Sequence, residues 1–257
     1  MKCRICGSKC EVKHTALIMG KYKINYYLCN ECNFLQAEEP YWLEESYANP
    51  INNTDTGLVS RNISLAKKTS IILYYLFGKK GMYLDYGGGY GLFTRLMRDR
   101  GFDFYWQDSY TENLLSKGFE YKKTQKIDAI TAFELFEHLV DPVQEIEKML
   151  KISRTIIFST NFINLEKDTP KNWWYFGTEH GQHVAFYTKE TLQYLACKYG
   201  LNLYTNESNY HILTDQNINK VLFKVLLKIG KSEFLSKRII SLKSKTLEDA
   251  SLIMNKK

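Results

Sequence analysis

The segment MYLDYGGGYG, residues 82–91, constrains this chain more than any other. A short apolar strand reaches Asp85, glycines follow at 87, 88, 89 and 91, and LFTRLMRDR then runs with helical periodicity until Gly101 stops it. A strand turning through glycines into a helix is the opening of a strand–helix–strand unit, and further strands are at hand in FDFYWQD (102–108), IDAITAFE (127–134) and RTIIFST (154–160). Ahead of it, Ser60 to Phe77 has helical periodicity and ends at Gly78. Strands and helices in alternation predict an α/β fold with a doubly wound, mostly parallel sheet.

The spacing Asp85-x-Gly87-x-Gly89-x-Gly91 resembles the nucleotide loop of class I S-adenosylmethionine-dependent methyltransferases, and the resemblance extends over roughly residues 60–210. Glycines remove the Cβ atoms that hold a ligand off the backbone, so the amides around 87–91 are expected to be bared toward the donor. Dinucleotide-binding enzymes use a related turn, but three further features favour the methyl donor, one of them the buried strand RTIIFST that continues the alternation. Asp108 ends the second strand 17 residues beyond Gly91, where an acid can accept from ribose hydroxyls. Glu137-His138, with Asp141 as N-cap and Pro142 in the first helical turn, looks like the EHxxDP segment of many small-molecule methyltransferases. The resemblance implies S-adenosylmethionine held by Asp85, Gly87, Gly89, Gly91 and Asp108, with Phe133, Glu134 and Leu135 along its edge. An adenine contact is not evident in GFEYKKTQ, and Glu137 and His138 can as well orient a loop and cap a helix as catalyse.

Cys3-x-x-Cys6 and Cys29-x-x-Cys32 flank a stretch that reads as a hairpin turning near Gly20. This is zinc-ribbon spacing: two knuckles of thiolates close a tetrahedral structural site with no open position. The alternative is two redox pairs or unconnected buried thiols. Cys10 and His14 are spare ligands, and Cys197 on a helical stretch is expected in the core. So small a segment would take most of its folding free energy from Zn2+. The expected organisation is a ribbon over 1–40, a linker and helix start over 41–66, a donor-binding domain over 67–215 and a basic helical tail over 216–257, with the linker centred on Asn49 to Gly57.

After the fifth strand, Trp173, Trp174, Tyr175, Phe176, His180 and His183 crowd into eleven positions. Long segments at the carboxyl ends of strands form substrate lids, though an aromatic run is as often a hydrophobic plug. His183-Val-Ala-Phe-Tyr-Thr, leading to Thr188 as N-cap, resembles a segment of deoxysugar C-methyltransferases, which also begin with a cysteine-rich zinc domain. That resemblance implies His183 as the base, with His180 and Tyr175 as further candidates, and a saccharide or nucleotide-sugar acceptor in surface-polysaccharide biosynthesis. The chain departs from it in having His180 and Gln182 where that family has tyrosine and glutamate, and no counterpart of that family's large C-terminal domain is expected within these residues. O- and C-methylation both stay open.

Of the formal charge of +7, the tail from Gln216 to Lys257 carries all, with ten basic and three acidic residues; the body holds 25 of each. A neutral body argues against the rival reading, an rRNA base methyltransferase, so nucleic acid is not an expected partner. A third reading is a degenerate methyltransferase fold serving as a scaffold. The longest apolar run, Ile71 to Phe77, is far below the roughly 20 residues of a membrane span. MKCRICGSKC is not a secretory signal, so a reducing cytoplasm is expected. In the tail, Leu222, Val225, Leu226 and Ile229 share a helical face opposite Lys220, Lys224 and Lys228, suited to packing on the core or, alternatively, to the inner face of a membrane.

Overall fold

The computed structural model describes residues 1–48 and 55–255; residues 49–54 of the expected linker lie outside the described residues. The strands are β1 (Cys10–Ile18), β2 (Tyr22–Cys29), β3 (Leu35–Ala37), β4 (Met82–Tyr86), β5 (Asp103–Gln107), β6 (Ala129–Ala132), β7 (Thr155–Ser159), β8 (Ala185–Phe186), β9 (Asn202–Thr205) and β10 (Tyr210–Thr214). The helices are α1 (Leu43–Ser46), α2 (Leu58–Ile72), α3 (Leu92–Asp99), α4 (Pro142–Leu150), α5 (Lys189–Lys198), α6 (Lys220–Ile229), α7 (Glu233–Ile239) and α8 (Thr246–Met254). The architecture is mixed α/β with a parallel-rich sheet. The chain divides into two compact units, one made of Met1–Thr54, Glu134–Lys151 and Phe158–Asp215, the other of Asp55–Phe133, Ile152–Ile157 and Gln216–Lys257.

The second unit holds the parallel strands. Its order is β5-β4-β6-β7, and β4 pairs in parallel with both neighbours, Tyr83 lying opposite Phe104 on one side and Ala129 on the other. Tyr83, Leu84, Phe104, Ala129 and Ile130 are all buried, as strands covered on both faces require. The helix expected to end at Gly78 is α2 followed by a wider π turn, Leu73–Phe77. The tail belongs to this unit and is tied to α3 by a buried ion pair: Arg98 Nε and Nη2 donate to the two carboxylate oxygens of Asp249 at 2.8 and 2.6 Å. Arg98 Nη1 also donates to Asp103 and to the Phe104 carbonyl, both at 2.8 Å. On α6 the inward face is Phe223, Leu226 and Leu227, whereas Leu222 and Val225, expected on the packed face, are exposed. The reason is at its C-terminal end: a Cβ on Gly230 would stand 2.7 Å from Lys68 Cα, so the helix presses its Gly230 side onto α2.

The first unit carries the hairpin β1–β2, turning through Gly20 as the sequence suggested. The hairpin does not stand alone. β3 adds to β2, and the two-residue β8 adds to β3, with Leu35 opposite Phe186. Ile18, Ile24, Tyr26, Leu35 and Trp42 share one apolar cluster with Tyr175, Phe176 and Phe186. Trp42 Nε1 donates to the Gly181 carbonyl at 2.8 Å, and Thr191 Oγ1 to the Cys32 carbonyl at 2.8 Å. The cysteine-rich segment therefore gains apolar burial from the rest of its unit as well as whatever a metal supplies. Asp141 and Thr188 cap α4 and α5 as expected, Thr188 within a capping box. Cys197 corrects an expectation: it is exposed, because α5 buries Thr191, Leu192, Leu195 and Ala196, and the residue after Ala196 turns about 100° away from that face. β9 and β10 close the unit as an antiparallel pair.

Candidate functional site

The glycine loop connects β4 to α3 inside the second unit. Gly87, Gly89 and Gly91 have φ of 70°, 51° and 85°, the left-handed region that side chains avoid. The glycine amides, however, are not bared. Gly87 and Gly88 both donate to the Gln107 carbonyl at 2.8 and 3.1 Å, Gly91 donates to the Gly88 carbonyl at 2.9 Å, and Gly89 donates to Asp108 Oδ2 at 2.9 Å. The glycines serve different ends. A Cβ on Gly88 would stand 2.8 Å from both Asp85 Oδ2 and Trp106 Cδ1, and one on Gly91 would stand 2.7 Å from Asn113 Oδ1, so these two let the protein approach itself. At Gly89 a Cβ would meet nothing within 4 Å.

Asp85 lies beneath this loop, 2% exposed, its oxygens accepting from Thr94 Oγ1 at 2.9 Å and Thr131 Oγ1 at 3.1 Å. Burial pushes its carboxyl up to about 7, against the pull of the two threonine hydroxyls. Its hydroxyl partners belong to α3 and β6, and Gly88 of the loop packs over its Oδ2. Asp108 accepts three backbone N–H bonds, from Gly89, Tyr110 and Thr111. A carboxylate has about four acceptor sites, so room for about one further donor remains. Trp106 Nε1 closes the turn on the Gly89 carbonyl at 2.8 Å. The implied S-adenosylmethionine fits these residues in two respects: the space over Gly89 is one that any side chain would enter, and Asp108 offers an acid beside it. Among the other expected contacts, Phe133 packs edge to face on Phe93 at 4.9 Å. In the first unit, Glu134 has φ 51° and is held by Ser159, whose hydroxyl accepts from its amide and donates to its carboxylate at 2.6 Å; Leu135 follows, half-buried, at the start of a 3-10 turn.

The four ribbon cysteines converge within the first unit, their sulfurs all within 4.8 Å of one another. Cys3 and Cys32 sulfurs are 3.6 Å apart and those of Cys6 and Cys29 3.4 Å. A tetrahedron with bonds of about 2.3 Å has edges of about 3.8 Å, so the cluster is compatible with a closed metal site. Cys10 sits opposite Cys29 in the hairpin register and is outside this set, as is His14.

The lid segment is mostly core: Tyr175 and Phe176 are buried, and only Trp174 of the run is well exposed, at 75%. Tyr175 Oη accepts from the Asn161 amide at 3.1 Å and lies 3.3 Å from Thr160 Oγ1. Burial, with Glu137 and Glu134 nearby, holds its phenol well above the ordinary value, so it keeps its proton near neutral pH. What Tyr175 gives His183 is its carbonyl, 2.6 Å from His183 Nδ1. A carbonyl only accepts, so His183 carries its proton on Nδ1 and its lone pair on Nε2. His180 has the opposite tautomer, since its Nδ1 accepts from the Gln182 amide at 3.1 Å, and its ring covers Gly177. The rings of His180 and His138 lie 5.0 and 4.7 Å from that of His183. Sequence reasoning did not join Glu137-His138 to His183, because nothing local links a 3-10 turn to a segment 45 residues on.

Residues 61–206 match the family described as methyltransferase domain. No curated protein matches the chain. Among solved structures, similar chains include CalO1, a methyltransferase in calicheamicin biosynthesis in its SAH-bound form, at 13% identity and a TM-score of 0.49, covering 69% of this chain and 60% of that one. An O-methyltransferase family protein from Burkholderia thailandensis is similar at 10% identity and 0.49, covering 71% and 65%. Magnesium protoporphyrin IX methyltransferase from Synechocystis PCC 6803, with SAH bound, is similar at 13% and 0.41, covering 68% and 94%. The chain spans 60–61% of the length of the first three structures it resembles.

Proposed function

This chain belongs to the methyltransferase-domain family, and on that footing we propose that it transfers a methyl group from S-adenosylmethionine to a saccharide or nucleotide-sugar acceptor. The observation that carries the donor is the loop at 87–91, whose Gly89 leaves clear the space a side chain would take, beside Asp108. When bound, S-adenosylmethionine supplies an already activated methyl group, so the protein has to align an acceptor and accept its proton. Gly87, Gly89 and Asp108 would hold the donor; Asp85, through Thr94 and Thr131, would tie β4 to the α3 and β6 elements that flank the loop. His183, with Nδ1–H anchored on the Tyr175 carbonyl, presents Nε2 as the proton acceptor. His180, with its Nδ1 engaged, orients the same segment.

The four-cysteine cluster would hold a structural Zn2+, its spacing and its lack of any open position supporting that use. The tail adds a peripheral membrane contact to the proposal: Val221, Leu222 and Val225 are exposed beside Lys220, Lys224 and Lys228. No helix among the described residues is long and apolar enough to cross a membrane. The acceptor is tested by incubating the chain with methyl-labelled donor against nucleotide-sugars, glycans and RNA. Label is expected in a saccharide; label in RNA would favour the nucleic-acid reading, and no uptake with tight donor binding would leave a scaffold.

A further inference from the structure

Three side chains with metal-binding chemistry converge in the first unit, well apart in kind from the cysteine cluster. Glu137 and His138 come from the 3-10 turn Phe136–His138, and His183 from the segment before β8. A carboxylate oxygen and one nitrogen from each ring all lie within 4.8 Å of one another. We propose that Glu137, His138 and His183 form a binding site for one divalent first-row transition cation, held by a Glu137 oxygen and the two Nε2 atoms.

The donor set is mixed nitrogen and oxygen with no sulfur, which suits Mn2+, Fe2+, Co2+ or Zn2+ and disfavours the softer ions that thiolates select. The ring orientations agree with it. His183 Nδ1 donates to the Tyr175 carbonyl at 2.6 Å, and His138 Nδ1 lies 3.2 Å from the Gln182 carbonyl, with Tyr47 Oη at 2.9 Å. The carbonyl partner puts the His183 proton on Nδ1, and His138 reaches the same tautomer by donating Nδ1–H to the Gln182 carbonyl or to Tyr47 Oη, the outer-shell arrangement that turns Nε2 toward a metal. The Glu137 side chain is 1% exposed, and a carboxylate that far from water gains from a nearby positive ion. Bonds of about 2.0–2.2 Å put ligand atoms roughly 3–3.5 Å apart, so a contraction of about 1–2 Å by side-chain rotation closes the site.

Three protein ligands leave at least one coordination position open, a position that suits an acceptor hydroxyl, whose pKa a bound cation lowers. That use rests on the methyl-transfer reading; the binding site does not. A cation on His183 Nε2 and a proton on it exclude each other, so the metal-loaded and metal-free chains handle the acceptor proton differently.

The test needs no methyl donor. The full chain, stripped of metal, is given one equivalent of zinc, which the four thiolates take ahead of a nitrogen and oxygen site, and is titrated with manganese chloride, the free ion followed by electron paramagnetic resonance. One Mn2+ per chain is expected, bound at least about tenfold more weakly by His183→Gln and by His138→Gln, with zinc content unchanged. The same titration with Co2+ is expected to give weak ligand-field bands only. Three results would overturn the site: no stoichiometric Mn2+ on the unsubstituted chain, equal affinity in both variants, or growth of thiolate charge-transfer absorption with Co2+. The first is decisive even where a variant misfolds.

Discussion

Asp85→Asn isolates a single proton beneath the glycine loop. In the folded chain burial raises the Asp85 carboxyl from 3.8 to about 7. The unfolded chain releases that proton near its ordinary value, so between the two the native state binds more protons and stability falls as pH rises. The contribution is whole below pH 3.8 and gone above about 7. At about 1.36 kcal/mol per pH unit, the stretch from pH 5 to 7 is worth about 2–3 kcal/mol, with little more lost by pH 8. Asparagine has nearly the same shape and no proton to lose, and the hydroxyls of Thr94 and Thr131 can rotate to meet its amide. Urea unfolding followed by circular dichroism at pH 5 and pH 8, on both proteins, gives the double difference. The asparagine variant is expected to gain about 2–3 kcal/mol relative to the parent between these pH values. Parallel profiles, constant to within about 0.5 kcal/mol, would show that Asp85 is ionised throughout and that the burial argument fails.

Three other outcomes follow from the same structure. Asp249→Ala strands the buried Arg98 guanidinium and is expected to cost about 3–5 kcal/mol, read as a lowered unfolding midpoint; a shift under 1 kcal/mol would mean that Asp103 and the Phe104 carbonyl suffice. Cys3→Ser is expected to release one zinc per chain and expose the β1–β2 hairpin to protease, and a variant keeping both metal and resistance would contradict the four-thiolate site. His183→Ala is expected to lower kcat by about 10²–10⁴ at unchanged donor affinity; full turnover would show that another group takes the proton.

What was legible in the sequence was local. The strand, glycine turn and helix at 82–99 have fixed offsets, as do the caps at Asp141 and Thr188 and the paired cysteines, and the structure places all of them in the expected elements. The unread parts join residues far apart in the chain. β3 and β8 are three and two residues long, too short for periodicity to announce, and pair across about 150 positions. Arg98 and Asp249 are 151 apart and look like surface charges until α8 is seen beside α3. The direction of the loop amides is hidden for a related reason: glycine spacing reports where side chains are absent, while the acceptors that capture three of those amides, Gln107 and Asp108, sit at the end of another strand.

The most direct measurement is calorimetric titration of S-adenosylmethionine into the full chain and into Gly89→Leu, with circular dichroism to confirm that both are folded. A saturable one-to-one heat is expected from the parent, and binding at least about tenfold weaker once a leucine side chain occupies the space over residue 89. No heat from the folded parent, or equal affinity in the two, would contradict the assignment of this loop as the donor site.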